Sequence, residues 1–411
     1  MDATELYQQI LGIRAPWYVD GVNLDHQAAK VTVQLEHRAE GFACPTCGAA
    51  VSVYDHAEAR TWRHLDTCQF ETLLTARVPR VDCATCGVLT ATIPWAAPHG
   101  RFTLLFECFA LDVLFAVQVQ SRAAELLRLS DDQIRWLQHR AVERGLRRRD
   151  PERPRPHVMM DEKSLHAGHH YVTILSDGTH GEVLDVVEHR TTEAATELFG
   201  EALTETQKAT VKAVSVDMWA PFAQAAKVHL PDAELVYDRF HLSEHLNAAV
   251  DKTRRAEHKR LSRAGDTRLK STRYLWLRSP HTLSDSQRER LAELTQGELE
   301  TVSVWRLKED FRQFFEAKHE AAATDFFHDW HTQVLQLGNA HLKQVATMFK
   351  NHLDGMLAYL RHRVSNGLAE NINGRIQQLK SKARGFRTWA GFRQAILFHL
   401  GQLDLYPQTF R

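Results

Sequence analysis

The sequence contains no uninterrupted apolar run long enough to cross a membrane. Its best candidate, residues 104–119, is broken by Glu107 and Asp112, which is typical of an amphipathic core helix. The N-terminus also lacks the basic flank and the apolar segment of a secretion signal. We therefore predict a cytoplasmic protein with no membrane contact, in which the 6 cysteines do not form disulfides.

Net charge is also absent, because 51 basic side chains balance 51 acidic ones. The two signs are nevertheless segregated along the chain. Residues 157–250 carry 15 acids against 6 bases, residues 252–278 carry 10 bases against 2 acids, and residues 361–393 carry 8 bases against one acid. An acidic segment flanked by basic ones is typical of a metal site beside a polyanion track. For any single cluster, the alternative is a solvated helix face.

No Ser/His or Cys/His grouping suggests a protein nucleophile, whereas carboxylates stand at the ends of predicted strands. An apolar run ends at Asp161, two β-rich runs and a helical segment follow, and a fourth strand ends at Asp217. This order predicts a ribonuclease-H-like layer in which the first and fourth strands are neighbours. Asp161 and Asp217 could then share a metal ion, although each alone could simply end a strand.

Two CxxC motifs, separated by 35 residues, lie in the N-terminal part of the chain. Each predicts a knuckle that presents two thiolates on a tight turn. Three stretches between them look like strands, at 51–54, 60–64 and 70–78. Two knuckles supply the four sulfur ligands of a closed, structural zinc site, so we predict a zinc ribbon. Its ligands are Cys44, Cys47, Cys83 and Cys86. Cys68 and Cys108 lack such spacing and are expected to be small buried side chains.

A helical segment follows the ribbon. A short helix from Gln120, a turn with an N-cap at Ser130 and Asp131, and a longer helix to Arg149 predict a helix-turn-helix. Any helical hairpin gives a similar pattern. Basic and Pro-rich residues then form a linker. The side chains expected to meet DNA here are Arg135, Gln138, Arg140, Arg147 and Arg148.

A fifth strand precedes Asp238, which is a rival metal ligand or a helix-entry residue. The sequence from about 269 to 359 has a helical pattern throughout and predicts an all-α insertion. Beyond it, Ser365 or Asn366 caps a helix that carries Glu370 in its first turns, and this Glu is expected to face the strands. The alternative for Glu370 is an ordinary surface carboxylate.

These motifs carry a resemblance. Met-Met-Asp161-Glu-Lys-Ser, Ser-Val-Asp217-Met-Trp, Asp-Arg-Phe-His at 238–241 and Ser-Asn-Gly-Leu-Ala-Glu370-Asn-Ile-Asn-Gly resemble the ISL3 family of bacterial insertion-sequence transposases. The zinc ribbon followed by a helix-turn-helix resembles the same family. The resemblance implies a DDE transposase whose triad is Asp161, Asp217 and Glu370. Related enzymes often have a basic residue seven positions after the Glu, where this chain has Gln377.

Three carboxylates suit two Mg2+ or Mn2+ ions, which promote an in-line displacement. The expected partner is double-stranded DNA, both transposon ends and target, bound by at least two chains. Two alternatives stay open: a nuclease of the same fold that never joins strands, and a DNA-binding regulator with an inactive catalytic layer. Further DNA contacts are expected on the basic helices, at Arg254, Arg255, Lys259, Arg260, Lys380, Lys382 and Arg384.

The predicted fold class is therefore a multidomain α+β protein in which an all-α insertion interrupts a ribonuclease-H-like α/β catalytic domain. The predicted divisions are a zinc ribbon at 1–100, a helix-turn-helix with linker at 101–156, catalytic core at 157–265, insertion at 266–359 and C-terminal catalytic helices at 360–411.

Overall fold

The computed structural model describes residues 2–166, 170–237, 239–363 and 367–407. The chain forms two compact units. Unit 1 contains the residues up to Arg149, together with Lys382–Arg384 and the C-terminal residues from Leu403. Unit 2 contains Asp150–Ser381 and Gly385–Gln402. This division is coarser than the five segments predicted from the sequence, whose boundaries stay a prediction. None of the described helices is both long and apolar enough to cross a membrane.

Unit 1 combines a β-sheet with four helices. Its strands are β1 (Trp17–Asp25), β2 (Lys30–His37), β3 (Gly41–Ala43), β4 (Ala50–Thr67), β5 (Phe70–Cys83) and β6 (Gly87–Thr90). Its helices are α1 (Ala3–Ile10), α2 (Leu104–Val117), α3 (Gln120–Leu127) and α4 (Asp131–Arg148).

The sheet of unit 1 has the strand order β1-β2-β5-β4-β3, and β6 pairs with β5. Its core gathers three tryptophans, with Trp95 packed edge-on against both Trp17 and Trp62. The sequence predicted separate strands near 51–54 and 60–64, but the structure joins them into the single strand β4. The pairing of β4 with β5 continues through several register shifts, so β4 remains one strand. Strands β1 and β2 were not predicted.

Helices α2, α3 and α4 follow the sheet and confirm the predicted helical segment. Helix α3 ends at Arg128, whose backbone is left-handed (φ 55°). Ser130 then caps α4 through a reciprocal capping box with Gln133. One face of each helix is apolar, and Ala123, Leu127, Ile134 and Leu137 are buried there. The sequence places these elements correctly because the cap and the apolar spacing are local signals.

Acid should destabilise unit 1 through a buried histidine. His64 is buried on β4, and its Nδ1 lies 2.8 Å from the Thr103 hydroxyl oxygen. Burial, with a smaller effect of Arg63, lowers the pKa of His64 to about 4. Because this pKa is depressed, the stability associated with neutral His64 is present above about pH 6.5 and is lost as pH falls towards 4. A shift of this size corresponds to roughly 3 kcal/mol.

The matched variant is His64→Asn, since the Asn amide oxygen can accept at the Nδ1 position but cannot titrate. We expect urea unfolding between pH 6.5 and 4 to show a shallower loss of stability for the variant than for the native chain. Parallel pH profiles would mean that another group causes the acid sensitivity.

Unit 2 contains a second sheet and the remaining helices. Its strands are β7 (His157–His166), β8 (His170–Asp177), β9 (Val183–Glu188), β10 (Ala213–Val216) and β11 (Glu234–Tyr237). The helices before residue 230 and after residue 366 are α5 (Thr192–Glu201), α6 (Glu205–Lys208), α7 (Ala220–His229), α16 (Gly367–Lys382) and α17 (Trp389–Leu400). The helices between them in sequence are α8 (Arg239–Arg263), α9 (Arg273–Leu277), α10 (Asp285–Thr295), α11 (Glu300–Asp310), α12 (Arg312–Glu316), α13 (Glu320–Leu337), α14 (Ala340–Asn351) and α15 (Leu353–His362). Of these, α15 packs against the sheet at β10 and β11.

The sheet of unit 2 has the strand order β11-β10-β7-β8-β9. Strands β7, β8 and β9 are antiparallel neighbours, whereas β10 lies parallel to both β7 and β11. Buried Val, Leu and Met side chains from the strands pack against α5 and α7, with Phe199 and Phe222 fully buried. Three strands, a helix and a fourth strand follow one another as the sequence predicted.

The stretch from α8 to α15 is helical, and no strand occurs in its described residues. Its core is aromatic: Phe311 contacts both Trp330 and Phe349. A buried carboxylate organises the N-terminus of α11, where Glu257 accepts from the backbone N–H groups of Glu300 and Thr301 at 2.9 and 2.8 Å. These bonds satisfy donors that a helix start leaves unpaired.

Candidate active site and metal centre

Asp161 and Asp217 lie on neighbouring parallel strands of unit 2. The register pairs Met159 on β7 with Ser215 on β10, and each carboxylate follows two residues later. Both side chains are mostly buried, with exposures of 17% and 14%. Asp161 lies inside its strand rather than at the predicted end, because β7 continues to pair with β8 as far as His166. Asp217 directly follows β10, as predicted.

Partners from two helices surround Asp161. The Asn373 side-chain amide on α16 donates to Asp161 Oδ2 at 2.7 Å. On α8, His241 Nε2 lies 3.7 Å from Asp161 Oδ1, and this oxygen also accepts from the backbone N–H of Glu162 at 2.8 Å. The contacts fix the orientation of the carboxylate, since both of its oxygens are engaged.

An arginine links Asp217 to a further carboxylate. Arg190 Nη2 lies 3.1 Å from Asp217 Oδ2 and 3.0 Å from Glu162 Oε1, and its guanidinium stacks over Trp219 at 4.6 Å. Burial raises the pKa of Glu162 to about 7, although Arg190 acts in the opposite direction. The second Glu162 oxygen, Oε2, is buried without a hydrogen-bond partner. A carboxyl with this environment takes up a proton as pH falls through about 7.

Glu370 lies in the first turn of α16, and its side chain is exposed. Its neighbour Ala369 packs against Met159, so the start of this helix rests on β7. Asn373 follows Glu370 by three residues and therefore lies one helical turn along a similar face. The contact with Asp161 comes from Asn373, whereas we had expected Glu370 to face the strands. Asp238, Ser365 and Asn366 lie outside the described residues.

The three predicted carboxylates do not form one tight cluster. In the described part of the chain, the four cysteines are the only group of three or more Cys, His, Asp or Glu residues whose ligand atoms all lie within 4.8 Å of one another. The structure thus brings Asp161 and Asp217 to adjacent strands and places Glu370 on a helix that touches the first of these strands.

Glu162, Arg190, His241 and Asn373 are site residues that the sequence interpretation missed. Some signals were available. Arg190 is the only Lys or Arg between Lys163 and Lys208, which makes it the natural counter-ion of an acidic segment. Asn373 stands at helical spacing from Glu370. Glu162 and His241 stand within the quoted motifs around Asp161 and at 238–241, but only the fold shows that they contact the site.

The four predicted zinc ligands lie together in unit 1. Cys44 and Cys47 belong to the turn between β3 and β4, whereas Cys83 ends β5 and Cys86 lies in the turn before β6. The Sγ atoms of Cys47 and Cys83 are 3.6 Å apart. Each knuckle ends in a glycine with positive φ, at Gly48 and Gly87, so the tight turn requires that residue type.

The chemistry of the cysteine cluster suits zinc. Backbone N–H groups of Cys47 and Thr46 donate to the Cys44 sulfur and lower the pKa of this thiol to about 7. Four sulfurs at this spacing match a closed tetrahedral site. Cys68 is exposed in the β4–β5 turn and Cys108 is half-buried, so the expectation that both are buried was wrong for Cys68, because a turn places its side chain at the surface.

Two of the residues expected to contact DNA are buried. Gln138 faces the α3–α4 contact and accepts a hydrogen bond from Gln120, and Arg254 pairs with Asp251 on its own helix, Nη2 to Oδ1 at 2.7 Å. Both predictions were wrong because Gln138 and Arg254 each lie on the buried, mostly apolar face of the helix. We exclude these two side chains from the DNA-binding surface.

The other predicted contacts retain some exposure. Several already have a partner within the chain: Arg135 with Asp132, Arg140 stacked on Trp136, Arg148 with Asp404 and the Tyr406 carbonyl, Arg260 with Glu257, Lys380 with the Leu165 carbonyl, and Lys382 with Gln118. The exposed ones without such a contact are Arg147, Arg255, Lys259 and Arg384.

Comparison with known proteins agrees with this arrangement. The family model for the DDE domain of ISL3 enzymes, described as "Transposase", matches residues 158–396, which is more than half of the chain. A second model, "zinc-finger of transposase IS204/IS1001/IS1096/IS1165", matches residues 40–86. The "Transposase for insertion sequence element IS1001" of Bordetella parapertussis is 28% identical over 361 residues, 87% of this chain and 88% of its own length.

A "Transposase for insertion sequence element IS1557" of Mycobacterium tuberculosis is 26% identical over 419 aligned residues, 94% of this chain and 93% of its own. The matches thus cover both the cysteine cluster and the sheet that carries Asp161 and Asp217. The chain belongs to the ISL3 family of DDE transposases.

Proposed function

We propose that this transposase binds the ends of its insertion sequence, cuts the DNA there and joins the freed 3′-hydroxyl to target DNA with the triad Asp161, Asp217 and Glu370. The observation that carries the proposal is the register of β7 and β10, which puts Asp161 and Asp217 at one height on adjacent parallel strands. Neighbouring strands are about 4.8 Å apart, a distance that two ligands of shared cations can span.

The strand order of unit 2 supports a ribonuclease-H-like catalytic layer. Three antiparallel strands are followed by two strands parallel to the first, and the first and fourth strands are central neighbours. The helices α8 to α15 interrupt this layer between the fifth strand and α16. Such an interruption explains how Glu370, more than 150 residues after Asp217, comes to a helix that packs on the first strand.

The donor set fits hard divalent cations, because carboxylate oxygens are the ligands that Mg2+ and Mn2+ prefer. When bound, a metal pair would stabilise the attacking and leaving oxygens of an in-line displacement at phosphorus. Asp161 and Asp217 would hold the ions, and Glu370 would complete the set from α16. The Glu370 side chain is exposed, so bound DNA could reach it.

The chain's own residues orient the carboxylates for this chemistry. Asn373 donates to Asp161, and Arg190 holds Asp217 while stacked on Trp219. Water would first break the bond between phosphorus and the 3′-oxygen at the transposon end, releasing a 3′-hydroxyl. That hydroxyl would then attack a target phosphodiester and displace its 3′-oxygen, so one bond forms for each bond broken.

DNA binding would combine both units. Helices α3 and α4 would form a helix-turn-helix in unit 1, with Arg135, Arg140, Arg147 and Arg148 towards the DNA. Exposed Arg255 and Lys259 on α8, with Arg260 and Lys380, would contact phosphates from unit 2, and Lys382 and Arg384 would contact phosphates from unit 1. Because two ends must be held together during transposition, we expect at least two chains in the active complex.

The proposal is tested by incubating the full chain with Mg2+, labelled duplexes from the flanks of its own gene and a supercoiled target plasmid. We expect 3′-hydroxyl ends followed by label joined to the plasmid, both abolished by EDTA. Cleavage without joined products would identify a nuclease of the same fold. Binding of the flanks without metal-dependent cleavage would identify a regulator with an inactive catalytic layer.

A further inference from the structure

Unit 1 contains a basic cleft between its sheet and the α3–α4 turn. The cleft has a volume of about 600 Å³, and Arg60 and Arg63 on β4, Arg101 before α2 and Arg128 at the end of α3 line it. Leu129 and Gln133 close the side formed by the helical hairpin. We call this site the arginine cleft. None of its four arginines was expected from the sequence to contact DNA.

The positive charge of the arginine cleft is only partly balanced. Arg63 and Arg128 share the carboxylate of Asp66, and Arg63 Nε lies 3.3 Å from Glu71 Oε1. In contrast, no carboxylate of the described residues pairs with Arg60 or Arg101. Arg60 donates to the Gly100 carbonyl at 3.1 Å and stacks over Trp62, which fixes its head group beside the cleft.

The guanidinium of Arg63 forms a buried part of the cleft wall. Arg63 is only 6% exposed, and its Nε makes no hydrogen bond, because Glu71 approaches it without hydrogen-bond geometry. Asp66 and Glu71 nevertheless balance the charge of Arg63, so the positive charge that an anion would meet in the cleft comes from Arg60 and Arg101. The backbone around the cleft is also unusual, since His99 and Arg128 both have left-handed φ values, 59° and 55°.

We propose that the arginine cleft binds a phosphate of the DNA backbone immediately beside helix α4. This inference rests on the proposed function, in which α4 enters the major groove. In that geometry the turn before the helix meets the strand that borders the groove, and a phosphate is the group presented there. One guanidinium group can donate two parallel hydrogen bonds to two oxygens of a phosphate. Arg60 and Arg101, on one wall of the cleft, can therefore hold a phosphate between them.

The cleft also explains how the sheet and the helical hairpin act together. The N-terminal part of the exposed face of α4 is nearly neutral, because Arg135 pairs with Asp132 and His139 lies 3.2 Å from Glu143. Asp131, in the first turn of α4, adds a negative charge at the surface. Arg140 and Arg147, which pair with no acid of the described residues, lie further along the helix, so the arginine cleft supplies sequence-independent attraction at the start of α4.

The test uses the full zinc-loaded chain and labelled duplexes, one from the flank of its gene and one of unrelated sequence. Dissociation constants are measured by fluorescence anisotropy over a range of NaCl concentrations. For Arg60→Ala/Arg101→Ala we expect a loss of affinity of about tenfold on both duplexes. The slope of log K against log[NaCl] should become shallower by about one, because the two arginines hold a single phosphate.

The matched control is Arg14→Ala/Arg77→Ala, which removes two exposed arginines from the same unit outside the cleft. A third variant, Arg60→Lys/Arg101→Lys, keeps the charge and should retain most of the salt slope. Zinc content and melting temperature confirm that each variant is folded. The arginine cleft would not be a phosphate site if Arg60→Ala/Arg101→Ala kept the salt slope of the native chain. The same conclusion would follow if the control variant lost as much affinity. Absence of DNA binding by the native chain would instead refute the proposed function.

Discussion

Asp217→Asn will abolish DNA cleavage and strand transfer while leaving the fold and the binding of transposon ends intact. The substitution preserves size but removes a charge that divalent cations require, and such ions contribute several kcal/mol of transition-state stabilisation. We therefore expect a fall in cleavage rate of at least about a thousandfold, which corresponds to roughly 4 kcal/mol. Asp161→Asn and Glu370→Gln should each have a comparable effect.

The measurement is single-turnover cleavage of a labelled end duplex with Mg2+ and with Mn2+, alongside binding of the same duplex in Ca2+. Asp232→Asn is the matched control, because it removes an exposed carboxylate from the same unit. If Glu370→Gln retained cleavage within about tenfold of the native rate, Glu370 would leave the triad. Glu162→Gln would then decide whether the buried carboxyl beside Asp161 is the third ligand.

The surroundings of Asp161 illustrate what the sequence could and could not predict. Strand order, the two Asp positions and the zinc knuckles follow from local patterns: apolar runs, cysteine spacing and turn glycines. The contact between Asn373 and Asp161 joins residues 212 positions apart. No local pattern encodes such a pairing, because it depends on how α16 packs against β7.

Burial explains the wrong predictions in the same way. Gln138 and Arg254 were assigned to DNA because polar residues on helices are usually exposed. Each instead lies at the edge of an apolar face and finds a partner, Gln120 or Asp251, that satisfies its polar group. Amphipathic spacing identifies the buried stripe of a helix but not its width, since the width depends on the neighbouring elements.

Strands β1 and β2 were missed for a related reason. Strand β2 pairs in parallel with β5, and the segment between them in sequence contains β3, β4 and the first cysteine knuckle. The turn of the β1–β2 hairpin, residues 26–29, contains no Gly, Pro or Asn, and the β2–β5 pair spans a long segment, so neither pairing has a local turn signal. The zinc ribbon is therefore part of a larger sheet with a tryptophan core of its own.

That larger sheet determines what zinc loss will do. The first twelve residues of β4, 50–61, include no buried side chain, whereas Trp62, Arg63 and His64 are all buried. The outer ends of β4 and β5, with β3 and β6, thus lack an apolar core apart from the cysteines and a few neighbours. A small segment of this kind depends on its metal, because metal binding supplies the free energy of folding there.

Cys44→Ser will therefore abolish stoichiometric zinc binding and unfold the knuckle end of the sheet without unfolding its tryptophan core. Hydrogen exchange should show lost protection over about 41–56 and 79–90, with protection retained over about 60–76.

The native chain should carry one zinc by elemental analysis, and Cys68→Ser, which changes an exposed turn cysteine, should keep it. Native protection at 41–56 in a zinc-free variant would show that the sheet holds this end alone. Since Arg60 lies at the border of these two regions, the same variant should also weaken binding of DNA at the arginine cleft.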